Sequence, residues 1–192
     1  MMRIFLVLTL LAALAVLPSA SCKTGHKARQ TSPDEIRWLD FEAAVKKQKK
    51  KPKIIFADIY TPWCGPCKML ERNTFSNPKL ARYVNEHFYP VRFNGESPDP
   101  VHFRGQEFTN PDYQPGKRGR NGVHQLTRFL NVSAYPTMVF IDANGDLITQ
   151  VRGYRTPQDL ELYLKVIASG DYKNIKDQAQ WEAYKKNFKP EF

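Results

Sequence analysis

The sequence is poor in cysteine, in acidic residues and in long apolar runs. Only three of its 192 residues are cysteine, so several disulfides cannot hold the fold and an apolar core must do so. The longest apolar run, from Ile4 to Leu17, falls well short of the ~30 Å hydrocarbon core of a membrane at about 1.5 Å per residue. Lysine and arginine outnumber aspartate and glutamate by 29 to 19, and a net charge of +10 is compatible with an anionic partner without requiring one. The 42% hydrophobic and 25% charged content is that of an ordinary globular protein, which excludes wholesale disorder and a collagen-like fibre.

Motifs for metals, nucleotides and nucleic acids are missing as well. The four histidines form no His-x3–5-His pair, and Cys22 stands apart from the other two cysteines, so a zinc site lacks ligands. The basic segment Gly116–Arg120 lacks the residues of a phosphate-binding loop and has no interleaved aromatics at a spacing suited to nucleic acid. No nicotinamide or flavin motif is present. We therefore expect no metal, no bound cofactor and no nucleic-acid partner.

The first 33 residues have the pattern of an export signal followed by a short tether. Arg3 precedes the apolar run and small residues follow it, so residues 1–21 are predicted to be a signal peptide. The stretch Ser19-Ala20-Ser21-Cys22 resembles the lipobox of bacterial lipoproteins, with Ser19 where leucine is usual. The sequence favours lipidation of Cys22 at the start of a polar tether over 22–33, and plain signal-peptidase cleavage is the open alternative.

We accordingly expect an exported protein of the periplasm or cell envelope, held at a membrane through Cys22. Six lysines between Lys46 and Lys53 end a predicted helix and fit two interpretations. They are either a solvated helix end, where cations complement the helix dipole, or a contact with an anionic membrane surface.

Hydrophobic periodicity predicts an α/β domain over residues 34–170. Strands are predicted at 53–60, 89–94, 136–141 and 147–153, and helices at 41–50, 68–75, 77–87, 124–130 and 156–169. Strand, helix, strand and helix are followed by an antiparallel hairpin with an Asn144-Gly145 turn, which predicts a mixed central sheet flanked by helices on both faces.

Two segments fall outside this pattern. In residues 95–123, nine of 29 are glycine or proline, which predicts a loop, while Phe103, Phe108 and Tyr113 suggest that this insertion is ordered and packed on the domain. Residues 171–192 are predicted to add a C-terminal helix around 178–188, with Trp181, Tyr184 and Phe188.

The segment Cys64-Gly65-Pro66-Cys67 follows a buried strand and opens a helix. A thiolate is the form that attacks a disulfide, and a helix N-terminus stabilises its negative charge. The spacing lets the second thiol reach the first and resolve a mixed disulfide within one protein. We expect Cys64, at the exposed end, to be the nucleophile and the more buried Cys67 to resolve. A purely structural disulfide closing so short a loop is disfavoured.

These residues resemble the active-site segment of thioredoxins. Trp63 through Lys68 matches the family's motif, and Tyr135-Pro136-Thr137 resembles its cis-proline loop. The resemblance covers about residues 54–168 without the insertion, and implies a thioredoxin-like fold with the insertion placed before the cis-proline loop.

The resemblance also implies roles for further residues. Asp58 would be a buried general base for Cys67, with a pKa raised toward neutrality. Arg92 takes the place of a lysine near that aspartate, and because arginine stays charged it can only tune the aspartate. Pro136 would be cis and would present the backbone of Tyr135 to substrate. The substrate groove would be lined by Trp63, Gly65, Pro66, Tyr135, Pro136 and Gly153.

The implied function is thiol–disulfide exchange on protein disulfides. The Gly-Pro dipeptide between the cysteines resembles that of reducing thioredoxins, which favours reduction of the substrate disulfide over its oxidation. Electrons would come from a membrane thiol reductant transporter. Two alternatives stay open, namely a disulfide oxidase or isomerase, and a binding module that uses the groove and the insertion to hold a partner.

Overall fold

The computed structural model describes residues 32–192, so the predicted signal segment and Cys22 lie outside the described residues. The helices are α1 (Phe41–Lys50), α2 (Gly65–Leu70), α3 (Pro78–His87), α4 (Gln125–Phe129), α5 (Pro157–Ser169) and α6 (Gln178–Asn187). The strands are β1 (Ile55–Tyr60), β2 (Tyr89–Asn94), β3 (Val101–Phe103), β4 (Gln106–Phe108), β5 (Thr137–Ile141) and β6 (Leu147–Arg152). A π-helical turn, Glu71–Phe75, continues α2, and a 3-10 turn, Asp171–Lys173, follows α5. Along this described part, no helix combines the length and apolar character needed to cross a bilayer.

The central sheet has the strand order β2-β1-β5-β6. The first pair, β1 and β2, is parallel, and β5 runs antiparallel to both β1 and β6. The segment before α1 extends the sheet, because Leu39 forms a bridge with Val91 on the outer edge of β2. The predicted mixed sheet is thereby confirmed.

Because side chains alternate along each strand, the sheet contributes residues to two separate cores, one on each face. In β1, Phe56 points to the face covered by α2, α3 and α5, while Ile55, Ala57 and Ile59 point to the face covered by α1 and α4. Asp58 shares the parity of Phe56 and therefore faces the α2 side. The sheet is covered on both faces, as predicted.

Local signals place the starts of α3 and α5 within one residue of the prediction, whereas α2 begins at Gly65, three residues before the predicted start at 68, because Cys64 caps it. The Asn77 side chain accepts from the backbone N–H groups of Lys79 and Leu80, with Pro78 as the first residue of α3. Thr156 and Asp159 form a capping box at the start of α5.

The insertion contains a β-hairpin that the sequence analysis missed. Strands β3 and β4 pair antiparallel through a turn in which Arg104 and Gly105 have φ of 52° and 76°. Three-residue strands are too short for a periodicity signal, and Arg-Gly is a weaker turn marker than Asn-Gly. The expectation of an ordered insertion is confirmed, since Phe103 and Phe108 are buried and the Phe103 ring lies 5.2 Å from that of Phe41 on α1.

The predicted C-terminal helix is also present, as α6. Its Trp181 ring lies 5.4 Å from that of Tyr163 on α5. The last residues are held by Glu161, a fully buried carboxylate on α5 that accepts from the backbone N–H groups of Glu191 and Phe192.

Candidate active site

The two cysteines of the predicted motif are joined at the start of α2. The chain leaves β1 at Tyr60 and turns back, with the N–H of Cys64 donating to the carbonyl of Thr61 at 3.1 Å. Cys64 caps α2, and Pro66 lies in its first turn, where the missing N–H costs no helical hydrogen bond. The Sγ atoms of Cys64 and Cys67 form a disulfide with a bond length of 2.02 Å.

The expected difference in exposure between the cysteines is absent in this disulfide form. Cys64 is 2% exposed and Cys67 is 4% exposed, although Gly65 and Pro66 between them lie on the surface. The Cys64 side chain turns inward over the helix end, where its Sγ accepts from the Cys67 N–H at 3.1 Å. This contact, and not exposure, distinguishes the two sulfurs, since the N–H of Cys67 donates to the Sγ atom of Cys64.

Residues predicted to line the groove lie close to Trp63, the residue that precedes Cys64. The Tyr135–Pro136 peptide bond is cis. The ring of Trp63, next to Cys64, lies edge-on to the ring of Tyr135 at 5.9 Å between centroids. Gly153 lies next to Pro136, since its N–H donates to the carbonyl of Pro136 at 2.8 Å. Segments far apart in the chain are thus brought together at one end of the sheet.

Asp58 is buried in β1 with little to stabilise a negative charge. It is 2% exposed, and its Oδ1 makes no hydrogen bond with any group of residues 32–192. Burial raises the pKa of Asp58 to about 7, with Arg92 acting against the rise and the negative charge of Glu71 adding to it. The direction is the one expected from the sequence.

Arg92 lies opposite Asp58 on β2 but is bound mainly to another carboxylate. Its Nε is 3.8 Å from Asp58 Oδ2, which is too long for a hydrogen bond. Its two terminal nitrogens each donate to Glu71 at 2.8 Å, and its guanidinium stacks over the ring of Tyr60. Because Glu71 neutralises the guanidinium, burial outweighs the ion pair in setting the pKa of Asp58.

Two acidic residues of this site escaped the sequence analysis, Glu71 and Glu96. Glu96 is buried just after β2 and accepts from Trp63 Nε1 at 2.8 Å. Burial raises the pKa of Tyr135 to about 12, and the charge of Glu96 adds to this effect. No local motif marks Glu96, since its partners come from other elements. Glu71 lies one helical turn after Cys67, and that spacing was the only available signal.

Metal-binding side chains do not gather anywhere between residues 32 and 192: no three of His, Cys, Asp or Glu are close enough to hold an ion.

Comparison with protein families and curated sequences identifies relatives of this chain. Residues 41–168 match the family described as a thioredoxin-like domain. The chain is 27% identical over 174 residues to the thiol:disulfide interchange protein DsbD of Tatumella citrea, covering 85% of this chain and 26% of that protein. It is 29% identical over 150 residues to DsbD of Citrobacter koseri, covering 75% of this chain and 22% of that protein. The chain thus spans about a quarter of the length of these relatives.

Solved structures share the fold. A thioredoxin-fold protein from Helicobacter pylori superposes with a TM-score of 0.53 at 19% identity, covering 70% of this chain and 81% of that one. A thioredoxin from Thermus thermophilus gives a TM-score of 0.52 at 17% identity, covering 69% and 87%. These similarities confirm the α/β, thioredoxin-like fold.

Proposed function

The chain belongs to the thioredoxin-like domain family, whose chemistry is thiol–disulfide exchange, and on this premise we propose that it reduces protein disulfides through Cys64 and Cys67. The observation that supports the proposal most directly is the Cys64–Cys67 disulfide next to Trp63 and the cis Tyr135–Pro136 bond.

In the proposed reaction the reduced protein donates two electrons to a substrate disulfide. The Cys64 thiolate attacks one substrate sulfur and releases the other as a thiol, which leaves a mixed disulfide. The Cys67 thiolate then attacks Cys64 Sγ and releases the second substrate thiol. The protein ends with the Cys64–Cys67 disulfide, and the substrate has gained two electrons and two protons.

Asp58 is assigned the role of base in the second step. Cys67 must lose its proton to attack, and a carboxyl group with a pKa near 7 exchanges protons readily at neutral pH. The unbonded Oδ1 of Asp58 supports this assignment, because it leaves an acceptor site open. Arg92, shared with Glu71, tunes that pKa without exchanging protons.

The backbone at Tyr135–Pro136 is proposed to bind the substrate chain as an added strand, with Trp63, Gly65, Pro66 and Gly153 around it. Gly65 and Pro66 are exposed, so they can contact a partner directly.

The proposed location is the cell envelope. The apolar segment before Cys22 supports export, and the Ser19–Cys22 lipobox-like stretch supports a lipid anchor on Cys22. The curated relatives are named for thiol:disulfide interchange. Because the sequence has no nicotinamide or flavin motif, a membrane thiol reductant transporter is the proposed electron donor.

The test is reduction of insulin disulfides by the chain, driven by dithiothreitol. We expect Cys64→Ser to lower the rate by at least about 10³-fold and Cys67→Ser to accumulate mixed disulfides. The matched control is Cys22→Ser, which removes the remaining cysteine and leaves the rate unchanged in solution. If the Cys64→Ser variant, which lacks the attacking sulfur, still retained its partner proteins, the result would support a binding module instead.

A redox titration against glutathione decides the direction. A potential below about −230 mV supports a reductase, and one near about −120 mV supports an oxidase.

A further inference from the structure

We propose that the loop from Gln114 to Asn121, called the basic loop below, selects substrate disulfides flanked by acidic residues. The loop belongs to the insertion and carries Lys117, Arg118 and Arg120. The proposal rests on the proposed function, since it assigns a substrate class to the same cysteine pair.

The basic loop has a defined shape. The side-chain amide of Asn121 closes it, accepting from the N–H of Gln114 at 2.8 Å and donating to the carbonyl of Gln114 at 2.9 Å. Gly116 and Gly119 turn the chain with φ of 77° and 80° on either side of Lys117 and Arg118. Binding an anion here therefore needs little ordering of the backbone.

The loop is also attached to the active site. The N–H of Asn121 donates to Glu96 Oε2 at 3.0 Å, and the same oxygen accepts from Trp63 Nε1 at 2.8 Å. The Arg120 guanidinium lies over the Trp63 ring at 4.8 Å. The positive charge of Arg120 is thus held on Trp63, the residue that directly precedes Cys64 in the chain.

The charges of the basic loop are free to meet a partner. Lys117, Arg118 and Arg120 are exposed, and none of them forms an ion pair with any carboxylate of residues 32–192. Neighbouring arginines are neutralised, since Arg104 of the insertion contacts Asp146 at 2.6 Å and Arg128 of α4 contacts Asp112 at 3.3 Å.

Two grooves connect these charges to the groups proposed to bind substrate. One, of about 360 Å³, is lined by Lys117 and Arg118 together with Pro62 and Trp63. The second, of about 410 Å³, runs from Arg120 past Trp63 to Tyr135. Grooves of this size hold a few side chains, as in a peptide beside its cysteine, whereas a membrane surface needs a flat basic face. The occupant we infer is an acidic peptide segment next to a disulfide.

The experiment compares two disulfide-linked peptides that differ only in the residues next to each cysteine, glutamate in one and glutamine in the other. The full chain should reduce the glutamate peptide with a kcat/KM about 10-fold higher at about 20 mM salt, and about 2-fold higher at about 500 mM. The triple variant Lys117→Gln/Arg118→Gln/Arg120→Gln should bring the ratio close to 1.

The matched control removes three positive charges at the opposite end of the sheet, in Lys46→Gln/Lys47→Gln/Lys49→Gln. These lysines are exposed on α1, whose Gln48 side chain donates to the carbonyls of Lys53, before β1, and Asp142, after β5. The control should keep the wild-type ratio. If both triple variants lost the preference for the glutamate peptide to the same extent, the preference would depend on net charge alone, and the proposal would be overturned.

Other outcomes separate this inference from the proposed function. If wild type reduces both peptides equally, the inference is wrong and the function stands. If it reduces neither peptide, the proposed function fails first. If the basic-loop triple variant loses binding to anionic phosphatidylserine vesicles while the peptide ratio stays unchanged, the loop recognises membrane and the inference is overturned.

Discussion

Two regions on the same face of the sheet each bury a carboxylate, but one carboxylate has several hydrogen-bond partners and the other has an oxygen with none. In the C-terminal region, Glu161 is 0% exposed, and its oxygens accept from Glu191 and Phe192 N–H groups and lie 2.8 Å from Lys165 Nζ. At the end of β1, Asp58 is 2% exposed, with one oxygen unbonded and Arg92 at 3.8 Å held by Glu71.

The difference shows how one fold separates stability from chemistry. A buried charge with all its partners holds neighbouring segments in place, and removing it leaves those partners unpaired. A buried charge without partners costs folding free energy, and its pKa moves toward the pH at which protons are exchanged. We therefore expect substitutions at the two carboxylates to have opposite effects on stability, and only the one at Asp58 to affect turnover.

The largest expected effect is that of Asp58→Asn. Loss of the base should lower kcat for insulin reduction at pH 7 by about 10². The unfolded protein releases this proton near pH 3.8 but the folded protein only near 7. Ionisation of Asp58 therefore lowers the free energy of unfolding: the loss is negligible below about pH 3.8 and reaches its full size above about pH 7. The oxidised variant should gain on the order of 4 kcal/mol over wild type at pH 8, and little at pH 4, in urea unfolding.

Asp112→Asn is the matched control for this substitution, because Asp112 is exposed and also lies near an arginine, Arg128. It should change neither kcat nor the pH dependence of stability. A destabilised Asp58→Asn protein at pH 8 would contradict the assignment of Asp58 as an unsatisfied buried charge.

Glu161→Ala should destabilise the protein by about 3 kcal/mol in urea unfolding, since two backbone N–H groups lose their acceptor and Lys165 loses one of its two carboxylate partners. The rate of insulin reduction, measured well below the melting temperature, should be unchanged. Glu161→Gln keeps an oxygen acceptor and should lose less. A slower rate in a fully folded Glu161→Ala protein would show that the two regions are not independent.

The position of the cysteine pair was predictable from sequence because its motif is local. Cys64 and Cys67 lie one turn apart, the preceding strand is apolar apart from Asp58, and Tyr135-Pro136 is marked by its resemblance to the thioredoxin cis-proline loop. The sheet followed from the same kind of evidence, since each strand and its turn residues are read within a short window.

What sequence could not show depends on contacts between distant residues. Glu96 is one of several acids near loops until the fold brings its carboxylate to Trp63, 33 positions away. Glu161 lies in a helical pattern as an ordinary charged residue, and only the fold brings the N–H groups of the chain end to its carboxylate. Cys64 is buried where it forms the disulfide and accepts a hydrogen bond at the helix end. Neither contact can be seen in a local sequence pattern.

The smallest expected effect, and the sharpest test of how the site tunes its carboxylate, is that of Glu71→Gln. Glu71 raises the pKa of Asp58 by its negative charge, and it also holds the Arg92 guanidinium away from Asp58. Without the Glu71 charge, Arg92 acts more strongly on Asp58, so the pKa of Asp58 should fall. The acid limb of the pH–rate profile for mixed-disulfide resolution should then move to lower pH, with the rate above neutrality unchanged. The control Glu182→Gln removes an exposed carboxylate that pairs with Lys185 on α6 and should leave the profile in place. A shift to higher pH would mean that Glu71 acts by orienting Arg92 toward Asp58, the reverse of the arrangement inferred from the 3.8 Å separation.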